Sequence, residues 1–250
     1  MKARALVLYG DGINCDGETE WGLSMAGFSP ERIHTTELLK NPQILSECQL
    51  LVLPGGFSFG DEIASGKVLS IELTKRISAA LHEFIDKKGL VVGICNGFQI
   101  LVQLGILPVS KTGAPKTVSL ARNTGGKFIN RWVGLSVVNE HRSPFFTGLK
   151  QIDLPIRHGE GRLTLGVNPG KEVSDLVSKH TVLCYDDDVN GSFERAAALT
   201  NEQGNVLGLM PHPEAFVRWS QHPSWTDSRE VRTEKPHGLV ILENAYKALG

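Results

Sequence analysis

The sequence predicts an α/β protein built on an open, mostly parallel (mixed) sheet with helices on both faces. Three observations carry this. Short apolar runs alternate with longer stretches of helical periodicity. Those runs are apolar throughout instead of alternating, as strands covered on both faces are. No Pro/Gly/Ser linker and no internal repeat divides the chain, so one domain over residues 1–250 is expected.

Element by element, Arg4–Tyr9 reads as a strand, Asp16–Ala26 as a helix, and Leu50–Leu53 as a buried strand running into Pro54-Gly55-Gly56. Lys67–Lys88 places Val68, Ile71, Ile77, Ala80, Leu81, Phe84 and Ile85 at helical spacing. Leu90–Ile94 is a further buried strand, followed by a helix over Phe98–Leu107. The middle of the chain (Lys127–Asn139, Gln151–Ile156, Thr181–Tyr185, Ala196–Thr200, Asn205–Met210) is richer in strands and turns, and Gly238–Leu249 closes the chain as a helix.

Composition removes several classes of function. With 250 residues, 41% of them hydrophobic, the chain has the makings of a substantial core. Its 26 basic and 27 acidic residues leave a net charge of −1 without a basic block, which argues against a nucleic-acid footprint. Apolar runs fall far short of the ~18 residues that span a bilayer, and Ala5–Tyr9 is too short for a signal-peptide core. The four cysteines (Cys15, Cys48, Cys95, Cys184) show no CxxC spacing. A cytoplasmic protein without membrane contact is expected.

In open α/β sheets, sites form where strands end and helices begin. Gly93-Ile94-Cys95-Asn96-Gly97 lies at such a junction with the spacing of a nucleophile elbow. Its glycines allow a sharp turn that pushes Cys95 outward at a helix N-terminus, where the unpaired amides favour a thiolate. The Asn96 amide points the same way, toward a developing oxyanion. The plain alternative is a structural cysteine in a glycine-flanked turn. Cys15 also follows a strand, but Asp11 and Asp16 flank it and no glycine pair brackets it, so it reads as a loop cysteine beside the site. Cys48 and Cys184 read as core or near-core.

A thiolate that transfers acyl groups needs a base and a group to orient that base. Val206–Glu214 runs a buried strand into Pro211-His212-Pro213-Glu214. The prolines favour an extended segment, in which His212 and Glu214 project to one side. A loop histidine is the plain alternative. His158, in Arg157-His158-Gly159-Glu160-Gly161-Arg162, is the competing histidine, with glycines that suit close approach of backbone to a ligand. Gly55 and Gly56 follow a strand directly and suit presentation of amides to an oxyanion. The loop lacks both phosphate-binding glycine patterns, so no nucleotide site is read there.

Together, Asn14-Cys15-Asp16, PGGFSFGD (Pro54–Asp61), GICNGFQIL (Gly93–Leu101), RHGEGRL (Arg157–Leu163), Asn190-Gly191-Ser192 and GNVLGLMPHPE (Gly204–Glu214) resemble the Cys-His-Glu glutamine amidotransferases. The resemblance is to the branch whose glutaminase subunits serve purine biosynthesis, over about residues 3–216 and the closing Gly238–Tyr246. It implies a flavodoxin-like fold, Cys95 as nucleophile, His212 as base and Glu214 as orienting carboxylate. It further implies an oxyanion hole from Gly56 with Phe57 or Asn96, and contacts to glutamine from Gln99 and from His158, Gly159 and Glu160. The expected activity is release of ammonia from glutamine to an ATP-dependent synthetase subunit that makes formylglycinamidine ribonucleotide. A small accessory subunit would complete the complex. This chain would need no metal or cofactor, with ATP and Mg on the synthetase. Val189 replaces a proline frequent in the family, and Phe216–Pro236 reads as an insertion, either a solvated loop or part of the partner surface. The alternatives are another triad amidotransferase, a γ-glutamyl hydrolase, or a catalytically silent binding module on the same fold.

Overall fold

The computed structural model describes residues 2–57, 67–110, 116–166, 168–226 and 235–250. Strands β1 (Arg4–Tyr9), β2 (Ser29–His34), β3 (Leu50–Leu53), β4 (Leu90–Ile94), β6 (Ile129–Val137), β7 (Gln151–His158), β9 (Thr181–Tyr185), β10 (Ala196–Thr200) and β11 (Val206–Leu209) form one sheet, ordered β2-β1-β3-β4-β11-β10-β9-β6-β7. Pairing is parallel from β2 to β11 and antiparallel from β11 onward. A separate antiparallel pair joins β5 (Val118–Ala121) to β8 (Arg162–Leu165).

Both central parallel strands are buried along their whole length, as their unbroken apolar sequences require. Helices α1 (Asp16–Ala26) and α6 (His237–Lys247) pack together, as do α3 (Lys67–Asp86) and α4 (Asn96–Leu104). Helix α4 starts two residues earlier than its periodicity predicts, because Cys95 itself is its N-cap. It ends at Gly105, whose left-handed conformation closes the helix three residues early.

Three elements carry too little apolar pattern to be read from sequence. Strand β2 is an edge strand with only Ile33 buried, and its Pro30 is tolerated there because an edge leaves one side of the backbone unpaired. Helix α2 (Thr35–Lys40) follows it at once and is only six residues long. Helix α5 (Lys171–His180) buries only Val177 and His180. Among the described residues, no helix is long and apolar enough to cross a membrane.

The Phe216–Pro236 run departs from the expected solvated loop or docking insertion in its first part. Phe216 is fully buried, and its ring meets Trp132, Trp219, His222 and His237 at centroid distances of 4.9–5.9 Å. The Arg218 guanidinium lies 3.9 Å over the Trp21 ring. Lys235 pairs with Glu243 on α6 at 2.6 Å. Trp225 is exposed, whereas Arg229, Glu230, Arg232 and Glu234 lie outside the described residues, as do Ser58–Asp61 of the PGGFSFGD stretch and the Val68 side chain.

Candidate active site

Strands β4 and β11 are parallel neighbours, with Ile94 beside Leu209, so the segments that leave them emerge together at one end of the sheet. Cys95 follows β4 with φ 51° and ψ −103°, a backbone conformation a non-glycine residue rarely holds. The turn persists because glycine surrounds it. A Cβ on Gly93 would stand 2.6 Å from the Gly97 carbonyl oxygen, and one on Gly97 would strike the Leu53 carbonyl. The Cys95 amide donates to Leu209 O at 2.8 Å, tying the elbow to β11.

His212 leaves the end of β11, and its amide donates to Pro155 O at 2.9 Å. Its Nδ1 lies 2.6 Å from Glu214 Oε1, with both side chains buried. The pairing expected from the sequence is therefore present, but the backbone is not extended. Pro213–Ala215 forms a single 3-10 turn that brings Glu214 beneath the ring. Burial opposes a charge on His212, and the Glu214 carboxylate with both neighbouring thiols outweighs it, lifting its pKa well above the ordinary imidazole value.

Gly55 explains how the groups converge. The position a Cβ would take there is 2.9 Å from His212 Cε1, 3.3 Å from Cys15 Sγ and 3.5 Å from Cys95 Cβ. Cys15 therefore lines the site itself. Burial, more than any carboxylate, raises its thiol pKa, with His212 lowering it and Glu214 raising it. This corrects the cause expected from Asp11 and Asp16.

A cavity of about 180 Å³ opens beside Cys95, lined by Gly56, Phe57, Gln99, Phe128, Arg157 and His158 among others. It is small for a nucleotide and of a scale for one amino acid. A larger groove of about 390 Å³ lies at the opposite end of the sheet, near Gln49 and Gly89, away from the triad.

The far wall of the cavity beside Cys95 comes from β7, which folds back over the end of β11 through a bridge between Ile156 and Pro211. Cys95 Sγ reaches Arg157 O at 3.6 Å. His158, Gly159 and Glu160 line the cavity. Gln99 lines it too, but its amide is committed: Oε1 accepts from Asn96 Nδ2 at 2.9 Å, and Nε2 donates to Glu160 O at 2.5 Å. It pins the His158–Glu160 loop. Just beyond that loop, Ser192 Oγ accepts from Leu163 N of β8 at 3.0 Å and donates to Asn190 Oδ1 at 2.8 Å.

The oxyanion-hole expectations divide. Asn96 is the first residue of α4, directly after Cys95. Gly56 lines the cavity with φ 149°, against Gly12 and Ile13. The Phe57 amide, however, donates to Gly12 O at 2.7 Å, so it is already satisfied and reaches an oxyanion only if that bond opens. Sequence reasoning missed the Arg157 carbonyl, Phe128 and Asn123, which no pattern marks, and it read Gly55 as an amide donor, not as the space where the three side chains meet.

This constellation, a strained cysteine with a buried His–Glu pair at the ends of parallel strands, is that of a thiol acyl-transfer enzyme. The profile of the CobB/CobQ-like glutamine amidotransferase domain matches residues 2–247, and the chain belongs to that family. Its relatives narrow the branch. The phosphoribosylformylglycinamidine synthase subunit PurQ of Dehalococcoides mccartyi is 37% identical over 98% of this chain and 97% of its own length. The subunit of the same name from Thermotoga maritima is 39% identical over 87% and 90%. The solved structure of PurLQS from Thermotoga maritima contains a chain that superposes with a TM-score of 0.79 at 34% identity, covering all of both chains.

Proposed function

We propose that this chain is the glutaminase subunit of a phosphoribosylformylglycinamidine synthase. It hydrolyses glutamine and hands the ammonia to an ATP-dependent synthetase that makes formylglycinamidine ribonucleotide in purine biosynthesis. The observation that carries this reading is the Cys95–His212–Glu214 arrangement, with Cys95 at a positive φ beside the buried 2.6 Å His212–Glu214 pair.

Cys95 passes its thiol proton to His212 Nε2, and the thiolate sulfur attacks the carboxamide carbon of glutamine as the carbonyl π-electrons move to oxygen. The amides of Asn96 and Gly56 face that oxygen, and Phe57 joins them once its bond to Gly12 O opens. The carbon–nitrogen bond then breaks. The departing nitrogen takes a proton from His212 and leaves as ammonia, with a thioester on Cys95. Neutral His212 next takes a proton from water, hydroxide adds to the thioester carbon, and the carbon–sulfur bond breaks to release glutamate. Glu214 keeps Nδ1 protonated and the ring oriented throughout.

Glutamine is held by the β7 wall, through His158, Gly159 and Glu160, with Gln99 fixing that wall in place. The chain itself needs no metal or cofactor in this scheme; ATP and Mg belong to the synthetase, and a small accessory subunit completes a cytoplasmic complex. The relative named PurLQS supports that assembly. The test is to combine the chain with its synthetase and assay amidine formation. Cys95→Ala should abolish the glutamine-dependent reaction and leave the reaction with added ammonium salt intact. Loss of both reactions in a folded, assembled complex would contradict the division of labour.

A further inference from the structure

Asn123, in the turn between β5 and β6, is buried, and every polar atom of its side chain is committed. Nδ2 donates to Lys127 O and to His158 O, each at 2.9 Å. Two carbonyl acceptors fix which end of the amide is nitrogen. Oδ1 accepts from Gly161 N at 3.3 Å and faces His158 Nδ1 at 3.1 Å. An amide oxygen only accepts, so Nδ1 must carry the ring proton and Nε2 is left with a bare lone pair.

That lone pair is conspicuous. His158 is 3% exposed and lines the cavity, and its Nε2 is buried with no hydrogen-bond partner among the described residues. A buried acceptor without a donor is costly, and native proteins seldom keep one unless a ligand or water completes it. The ring cannot turn to relieve it, because its Nδ1 edge is packed against Gly161, where a Cβ would collide with the imidazole. Burial, with a smaller effect from His212, lowers the His158 pKa to about 4, so the ring stays neutral.

We propose that Asn123 is a positioning residue that locks His158 in the Nδ1–H tautomer, making Nε2 the acceptor for the α-ammonium of bound glutamine. The inference rests on the glutaminase reading above. The carboxamide of the same substrate also carries N–H donors, but its nitrogen must lie beside Cys95 and His212 to leave as ammonia. Glu160 lines the same wall as His158, and its carboxylate pairs with Arg122 at 3.4 Å.

The direct test is the tautomer itself. In the full chain labelled with ¹⁵N-histidine, two-bond ¹⁵N–¹H correlations should show His158 protonated at Nδ1 only. Cys95→Ala allows the same spectrum with glutamine bound and no turnover, and there the Nε2 resonance should shift. Asn123→Ala should move the ring toward Nε2–H, the form free histidine prefers. In the assembled complex, Asn123→Ala should raise KM for glutamine about tenfold, the scale of one hydrogen bond to a charged group, with kcat changed less than about threefold. Glutaramate, which is glutamine without its α-amine, should show the same KM in wild type and variant. An equal rise in its KM would overturn the α-ammonium assignment. An Nε2–H or doubly protonated His158 in the unsubstituted chain would overturn the tautomer lock, and that readout does not depend on whether the variants fold. A wild-type complex that releases no ammonia from glutamine would instead contradict the glutaminase reading.

Discussion

The two halves of the central sheet divide the work. The parallel half delivers the chemistry: Cys95 and His212 follow the ends of adjacent parallel strands, which brings them to the same end of the sheet. The antiparallel half delivers the wall. Strand β7 curls back until Ile156 bridges Pro211, bringing Arg157 O, His158 and Glu160 over the nucleophile. On the proposed function, catalytic geometry rests on the parallel core and recognition on the His158–Glu160 loop, held by side chains of Gln99 and Asn123. Substitutions at the parallel ends should act mainly on kcat, and those on the curled wall mainly on KM.

The largest effect expected after loss of Cys95 is at the other parallel strand end. His212→Ala should lower kcat of glutamine hydrolysis about 10³-fold or more, and Glu214→Gln by about ten- to a hundredfold, since the orienting member of a triad costs less than the proton carrier. Steady-state assay of the complex checks both. Equal losses in folded proteins would move Glu214 toward direct chemistry and blur the distinction between the two strand ends.

The same pair should mark stability. Glu214 and His212 are both buried, so the segment contributes to the core and does not merely end a strand. Folding raises the His212 pKa above its unfolded value of about 6.5. The resulting stabilisation is complete below that value and fades as pH climbs through the raised folded pKa. Denaturant unfolding from pH 6 upward should show this loss in the wild type, with a much flatter profile in Glu214→Gln. Parallel profiles would contradict a charged pair.

On the wall, Gln99→Leu removes the bonds to Glu160 O and from Asn96 Nδ2. KM for glutamine should rise several-fold as the His158–Glu160 loop loosens, with kcat changed less. A fall in kcat alone would break the division between the halves. The smallest effect on activity should come from Trp219→Ala. Its ring packs on buried Phe216, so the variant should lose about 1–3 kcal/mol of stability while retaining activity.

Legibility followed the same division. The parallel strands are continuous apolar runs, and Arg4–Tyr9, Leu50–Leu53 and Leu90–Ile94 match the sequence reading residue for residue. The triad was readable because glycines and prolines punctuate the ends of those strands. The wall was only half readable: RHGEGR marked His158 and Glu160, but nothing in Arg122-Asn123-Thr124-Gly125-Gly126 announces that Asn123 sits behind His158, since that contact spans 35 residues of chain. Phe216 and Val217 are buried where the sequence suggests a solvated insertion, because a run rich in aromatic and charged residues looks alike in a loop and around one buried phenylalanine.

Two thiols, Cys95 and Cys15, line one cavity beside His212, and the account assigns the chemistry to Cys95 alone. The most direct measurement treats the wild-type complex with a diazoketone analogue of glutamine and maps the adduct by peptide mass spectrometry. The account predicts one adduct at Cys95, suppressed by excess glutamine, with Cys15, Cys48 and Cys184 unmodified. Dominant labelling of Cys15, or labelling of Cys95 that glutamine does not suppress, would contradict it.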